Sequence, residues 1–194
     1  MAKYTKDEAI TILHQSVAEY HEKLSRRMFR LLYDKRLTQT TEIATVVFEP
    51  GNFKHLTGIQ SDLSPRQFYK ACLKHRLSVR DIDFDSFGHA QRKLEVLPFM
   101  ADVFYNRCWI GLSINNDISI NADYYVGDTP CVLSIGFRGK ENGDVPVTLK
   151  NQSIREVVTK ENKIYAIASK PLGNSTRTWT LTYCDNGFDP SPWF

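Results

Sequence analysis

Phe48–Gly58 reads FEPGNFKHLTG, and the fold turns on how this stretch is taken. It follows a β-like run, Ile43–Phe48, and ends that run with Pro50-Gly51, a pair that forces a turn. Just past the turn stand Lys54 and His55, a fixed cation beside an imidazole that titrates near neutral pH. Apolar Phe53, Leu56 and Ile59 surround them and can pin the loop to a core. Groups carried on such a pinned loop are well placed for binding or catalysis. The plainer reading is a surface turn with a solvated lysine and histidine.

Toward the N-terminus, Thr5-Lys6-Asp7-Glu8 has the pattern of a capping box. Ile10, Leu13, Val17, Tyr20, Leu24 and Leu31 then recur at three- and four-residue steps, with no Gly or Pro before Arg36. The pattern predicts one helix over Thr5–Arg36, of about 30 residues and about 45 Å. It is expected to form an arm, residues 1–40, packed on a domain of residues 41–194, with a homodimer through the helix as the alternative. His14 and His21 lie seven apart, not the four that a metal pair on one helix prefers, and read as surface or seam residues. The basic cluster Arg26-Arg27, Arg30, Lys35-Arg36 fits compensation of the helix dipole, with a phosphate contact as the alternative.

Toward the C-terminus, Ser64-Pro65 opens a second helix with Phe68 and Cys72 inward and Arg66, Lys70, Lys74 and Arg76 as a cationic side. DIDFDSFG, Asp81–Gly88, lacks the glycine and the final glutamate of a calcium loop. A third helix, His89–Tyr105, is expected to kink or split at Pro98. From Cys108 onward the period becomes that of strands: Cys108–Ile114, Asp123–Val126, Cys131–Phe137, Pro146–Leu149, Ile164–Ser169 and Thr178–Tyr183. Gln152–Val158 reads as a short helix. Helices followed by consecutive antiparallel strands make the class α+β, with two or three helices beyond the first on a sheet of about four to six strands.

Composition limits the function. A hydrophobic share of 42%, a charged share of 24% and a net charge of +3 are ordinary for a globular protein. Cys72, Cys108, Cys131 and Cys184 form no CxxC pair and read as buried thiols of a reducing, cytoplasmic setting. No signal peptide and no membrane span are expected. GxGxxG, P-loop, GxSxG and HExxH are all absent, so no cofactor and no metal are expected. What remains is a set of cations and hydroxyls, Lys54, His55, Arg66, Tyr69, Lys93, Arg138 and Thr148. That set suits phosphodiester cleavage of RNA, which needs a base for the 2′-OH proton, an acid for the leaving oxygen and cations on the phosphorane. A binding surface would use the same residues.

The order FKHLTGI (Phe53–Ile59), FYKACLKHRLS (Phe68–Ser78) and RKLEVLPFM (Arg92–Met100) resembles the phage-type branch of the barnase–EndoU–colicin–RelE nuclease superfamily. Asp123–Gly127, Gly136-Phe137 and Pro146-Val147-Thr148-Leu149 resemble its strand motifs. The resemblance covers about Ile43–Lys150. It implies an RNase of a phage or mobile element, a toxin, with an immunity or antitoxin protein as partner and RNA as target. By position it points to His55, Lys93 and Thr148 as catalytic, with His55 as acid or base. Lys54, Arg66, Tyr69, Lys74 and Arg138 are then the RNA-binding set. No second catalytic histidine is evident in the sheet. The alternative is a non-enzymatic phage protein that binds a host protein or nucleic acid on a nuclease-like scaffold.

Overall fold

The computed structural model describes residues 3–35, 40–114, 122–128, 132–173 and 178–194. Arg36, Cys131 and most of the turn residues expected around 115–117, 129–130 and 174–175 lie outside them.

Helix α1, Lys6–Glu19, opens on the expected capping box: Glu8 donates its N–H to Thr5 Oγ1 at 3.2 Å, and Thr5 donates its own to Glu8 Oε2 at 2.7 Å. Ala9, Leu13, Val17, Tyr20 and Leu24 face inward at helical spacing, each at most 1% exposed. At Tyr20 the helix widens into a single π turn, Tyr20–Leu24, closed by Ser25 N–H to Tyr20 O at 2.7 Å. The chain then reverses through Arg26, at φ 58°.

The next element is a strand, β1, Arg27–Lys35, which corrects the expectation of a helix to Arg36. Phe29 and Leu31 enter the main core, while Leu32, on the opposite side of the strand, is equally buried. A strand covered on both faces reads as a continuous apolar run, and periodicity cannot separate it from a helix.

Strand β2, Thr40–Phe48, pairs antiparallel with β1 and runs into the Pro50-Gly51 turn, as Phe48–Gly58 suggested. Three helices follow: α2, Asn52–Thr57; α3, Pro65–Leu73; and α4, His89–Val96. The third expected helix is split near Pro98, continuing as 3-10 turns at Leu97–Phe99 and Asp102–Phe104. Proline removes a helical donor and clashes with the preceding turn, so the split is its direct effect. Then come β3 (Trp109–Leu112), β4 (Tyr124–Asp128), β5 (Leu133–Arg138), β6 (Val145–Lys150), α5 (Ile154–Val157), β7 (Asn162–Pro171) and β8 (Thr180–Cys184).

The class is α+β, with a long N-terminal helix and five α-helices among the described residues. Among the described residues the sheet has eight strands, more than the four to six expected, because β1 and β2 join those of the C-terminal half. Its order is β2-β1-β7-β3-β4-β5-β6, with β8 also on β7, and every strand pair is antiparallel. The sheet curls until its ends meet. Val47 N–H reaches Asp144 O and Asp144 N–H reaches Thr45 O, both at 2.8 Å.

Register sorts the residues by face. The rung Ile110–Val126–Ile135–Leu149 lies on the inner face, in one core with the buried side chains of α1 to α4. The next rung, Gly111–Tyr125–Gly136–Thr148, lies on the outer face under α5. A Cβ on Gly136 would sit 2.8 Å from Thr148 Cγ2 and 2.8 Å from Tyr125 Cε1, so this rung closes only around glycine.

Candidate functional site

Helix α2 carries Phe53, Leu56 and Thr57 inward and leaves His55 exposed. Gly58 ends it in the left-handed region, φ 69°, and a Cβ there would meet Lys93 Cδ of α4 at 2.9 Å. The missing side chain is what lets Lys93 pass close to this turn. Lys54, His55 and Lys93 form one electrostatic group: partial burial first, then Lys54 and Lys93, hold the His55 imidazole below its ordinary value. Lys93 is itself held below the usual lysine range, mainly by burial, with Asp85 acting against that shift and Lys150 adding to it. The Lys54 ammonium donates to Ser61 O at 2.7 Å and Leu63 O at 2.6 Å, and so fastens the loop before α3.

Thr148 does not join this group. It is 1% exposed, on the outer-face rung beside Tyr125. Arg138 is exposed at the end of β5. Arg66, Lys70 and Lys74 are exposed at four-residue spacing along α3 and its C-terminal cap.

Tyr69, also on α3, belongs to a second group that spacing along the chain did not reveal. Its ring packs against Tyr20 and Phe53. Its hydroxyl lies 2.6 Å from His21 Nδ1 and donates to Ser25 Oγ at 3.3 Å. Burial raises the phenol's pKa, while Ser25 and the Arg26 guanidinium oppose the shift. The phenol is therefore protonated at neutral pH. When it donates to Ser25, His21 Nδ1–H donates to it in turn, and Nε2 of the exposed His21 is left as a bare acceptor. An exposed histidine bonded to a tyrosine hydroxyl that a guanidinium also acts on has the parts of a general base near an anion-stabilising cation.

The local backbone makes this group. His21 lies exposed in the π turn, one of the two placements its spacing allowed, and the left-handed Arg26 reverses the chain into β1. Both features recur at functional sites. The sequence read His21 as a surface or seam residue and Arg26 as compensating a dipole or touching a phosphate, and did not single out Ser25; their grouping was missed because Tyr69 lies 48 residues from His21. The available signal was the basic run Arg26-Arg27 read against a tyrosine on a cationic helix.

Among the described residues no group of three His, Cys, Asp or Glu is placed to hold a metal ion, and no helix is long and apolar enough to cross a membrane. Cys72 and Cys108 are buried free thiols, and Cys184 is half-buried. A cavity of about 350 Å³ opens at one rim of the curled sheet, where Tyr33 donates to Glu42 at 2.9 Å and Tyr124 to Asp144 at 2.6 Å. It holds none of the expected site residues.

No curated protein and no solved structure matches the chain. One family does, over residues 12–186. That match takes in most of α1, all of β1 and the strands after residue 150, well beyond the Ile43–Lys150 span of the motifs. The π turn, Arg26 and Tyr69 all fall inside it. The chain thus belongs to the family described as phage-Barnase-EndoU-ColicinE5/D-RelE like nuclease4.

Proposed function

We propose that this chain is an endoribonuclease and that His21, held by Tyr69 and flanked by Arg26, is its acid–base group. The observation that carries the reading is the 2.6 Å contact between His21 Nδ1 and the Tyr69 hydroxyl, inside a nuclease family. In the reaction His21 Nε2 takes the proton of a 2′-hydroxyl. The 2′ oxygen bonds to phosphorus, the P–O5′ bond breaks, and the leaving oxygen takes a proton from water. Arg26 neutralises charge on the phosphorane. Arg66, Lys70 and Lys74 attract the backbone. On the same reading the chain acts as a toxin of a phage or mobile element, with a neutralising protein as its partner.

The second reading keeps His55 as the base. It is favoured by the lowered pKa of that imidazole, which leaves it neutral at pH 7 and supported by Lys93. In that reading Thr148 acts only through packing.

Cleavage of labelled RNA in EDTA by wild type, His21→Ala, Tyr69→Phe and His55→Ala, with matched thermal melts, tests both. General acid–base catalysis is worth about 10²–10⁴ in rate, so loss of that size in His21→Ala and a smaller loss in Tyr69→Phe support the first reading. Loss confined to His55→Ala replaces it with the second. A folded wild type that cleaves nothing removes both and leaves a binding protein on a nuclease-like scaffold.

A further inference from the structure

The outer face of β1 beyond Arg26 carries a second pattern. Met28 pairs with Lys170 and Arg30 with Ala168, so Lys170 and Arg30 project on the same face, away from the core reached by Phe29 and Leu31. Trp179, just before β8, lies against both of them. The Arg30 guanidinium is 4.5 Å from its ring centroid and the Lys170 ammonium 4.8 Å. Phe194 packs on the same ring at 6.1 Å, and Arg30 donates to the Trp193 carbonyl at 3.5 Å. Trp179 is half-buried, held by cations and the C-terminal tail and not by the main core.

This strip starts at the proposed active site. Leu172 N–H bonds the Arg26 carbonyl at 2.7 Å, and four strand residues, about 13 Å, separate Arg26 from Arg30. Aromatic rings interleaved with cations are the arrangement that binds single-stranded nucleic acid without reading its sequence, the rings stacking bases and the cations tracking phosphates. Asp185, the acidic residue ending β7's partner hairpin, is neutralised by its ion pair with Lys163.

We infer that single-stranded RNA runs from the His21–Arg26 end over the half-exposed Met28–Arg30 part of β1's outer face, short of buried Leu32, and stacks a base at Trp179, with Arg30 and Lys170 on its backbone. This rests on the ribonuclease reading and names how that substrate is held. A dinucleoside monophosphate cut at His21 has no base beyond the cleaved step, whereas an oligoribonucleotide carries further bases along the strip.

The test measures binding of a long 2′-O-methyl oligoribonucleotide, which cannot be cleaved, and cleavage of both a dinucleoside monophosphate and an oligoribonucleotide. Wild type, Trp179→Ala, Trp179→Phe and Arg30→Gln are compared. Trp179→Ala and Arg30→Gln are expected to weaken oligonucleotide binding and raise KM for the oligoribonucleotide on the order of tenfold. The dinucleotide should be cut as by wild type, and Trp179→Phe should restore most of the loss. Equal effects on both substrates, or none on either, overturn the platform while leaving the ribonuclease reading intact. Binding without cleavage by wild type, lost in Trp179→Ala, keeps the platform and removes the enzyme. A wild type that neither binds nor cleaves removes both.

Discussion

Arg26 holds φ 58°, where a residue with a β-carbon is strained by about 1–2 kcal/mol. Glycine there relieves the strain but carries its own entropic cost, so the two nearly offset. Arg26→Gly is therefore expected to leave stability within about 1 kcal/mol of wild type in urea melts, while RNA cleavage falls with the loss of the cation. Matched losses of both would show that Arg26 only holds the turn. His14 is informative in another way. Its ring centroid is 4.3 Å from that of His75, and its Nε2 is buried with no hydrogen-bond partner. Burial first, then His75, hold it below its ordinary 6.5. The unfolded chain thus binds this proton more readily than the folded one. The stabilising contribution is whole above the unfolded value and is lost as pH falls from there toward the folded value. His55 adds in the same direction. The melting temperature should drop between about pH 7 and pH 5, and drop less in His14→Gln. Glu8 and Asp81, held low by hydrogen bonds from Thr5 and Ser78, act in a more acidic window.

At the scale of elements, short-range chemistry was readable wherever it closed locally. The capping box at Thr5, the Ser64-Pro65 start of α3, the split at Pro98 and the strands after Cys108 all follow from neighbours a few residues apart. Thr5→Ala should accordingly cost about 1 kcal/mol in thermal or urea unfolding, with RNA cleavage unchanged. The end of the first helix was not readable. No glycine or proline marks it, because a left-handed arginine takes the turn, and Phe29 and Leu31 on one face and Leu32 on the other are all buried in a central strand. The site was half legible for the same reason. Lys54, His55 and Lys93 meet through a glycine turn visible in FKHLTG, whereas Thr148 was assigned from a motif whose register turns it to the opposite face. His21 and Tyr69 meet only because the tertiary fold brings α1 and α3 together.

For the whole molecule, β7 is the element on which the sheet depends. It pairs with β1 on one side and with β3 and β8 on the other, so it alone joins the β1–β2 hairpin to the β3–β6 meander. Among the described residues the other backbone link between the halves is the short seam at Asp144. A chain ending before Asn162 leaves Phe29, Leu31 and Leu32 of β1 without their partner strand. It is expected to lack cooperative thermal unfolding, whereas a chain missing only residues 190–194 should melt as one transition. A cooperative melt for the shorter chain would show that the Asp144 seam suffices.

The place of β7 in the sequence has a consequence for synthesis. Leu172, just past that strand, holds the Arg26 carbonyl, so the turn after the first helix is tied down by a residue made more than a hundred positions later. On the ribosome, the hairpin and the meander emerge before the strand that pairs with both. The turn at Arg26 gains this backbone partner only after β7 has been made. Translation itself thus sets a delay between the making of this turn and its fastening.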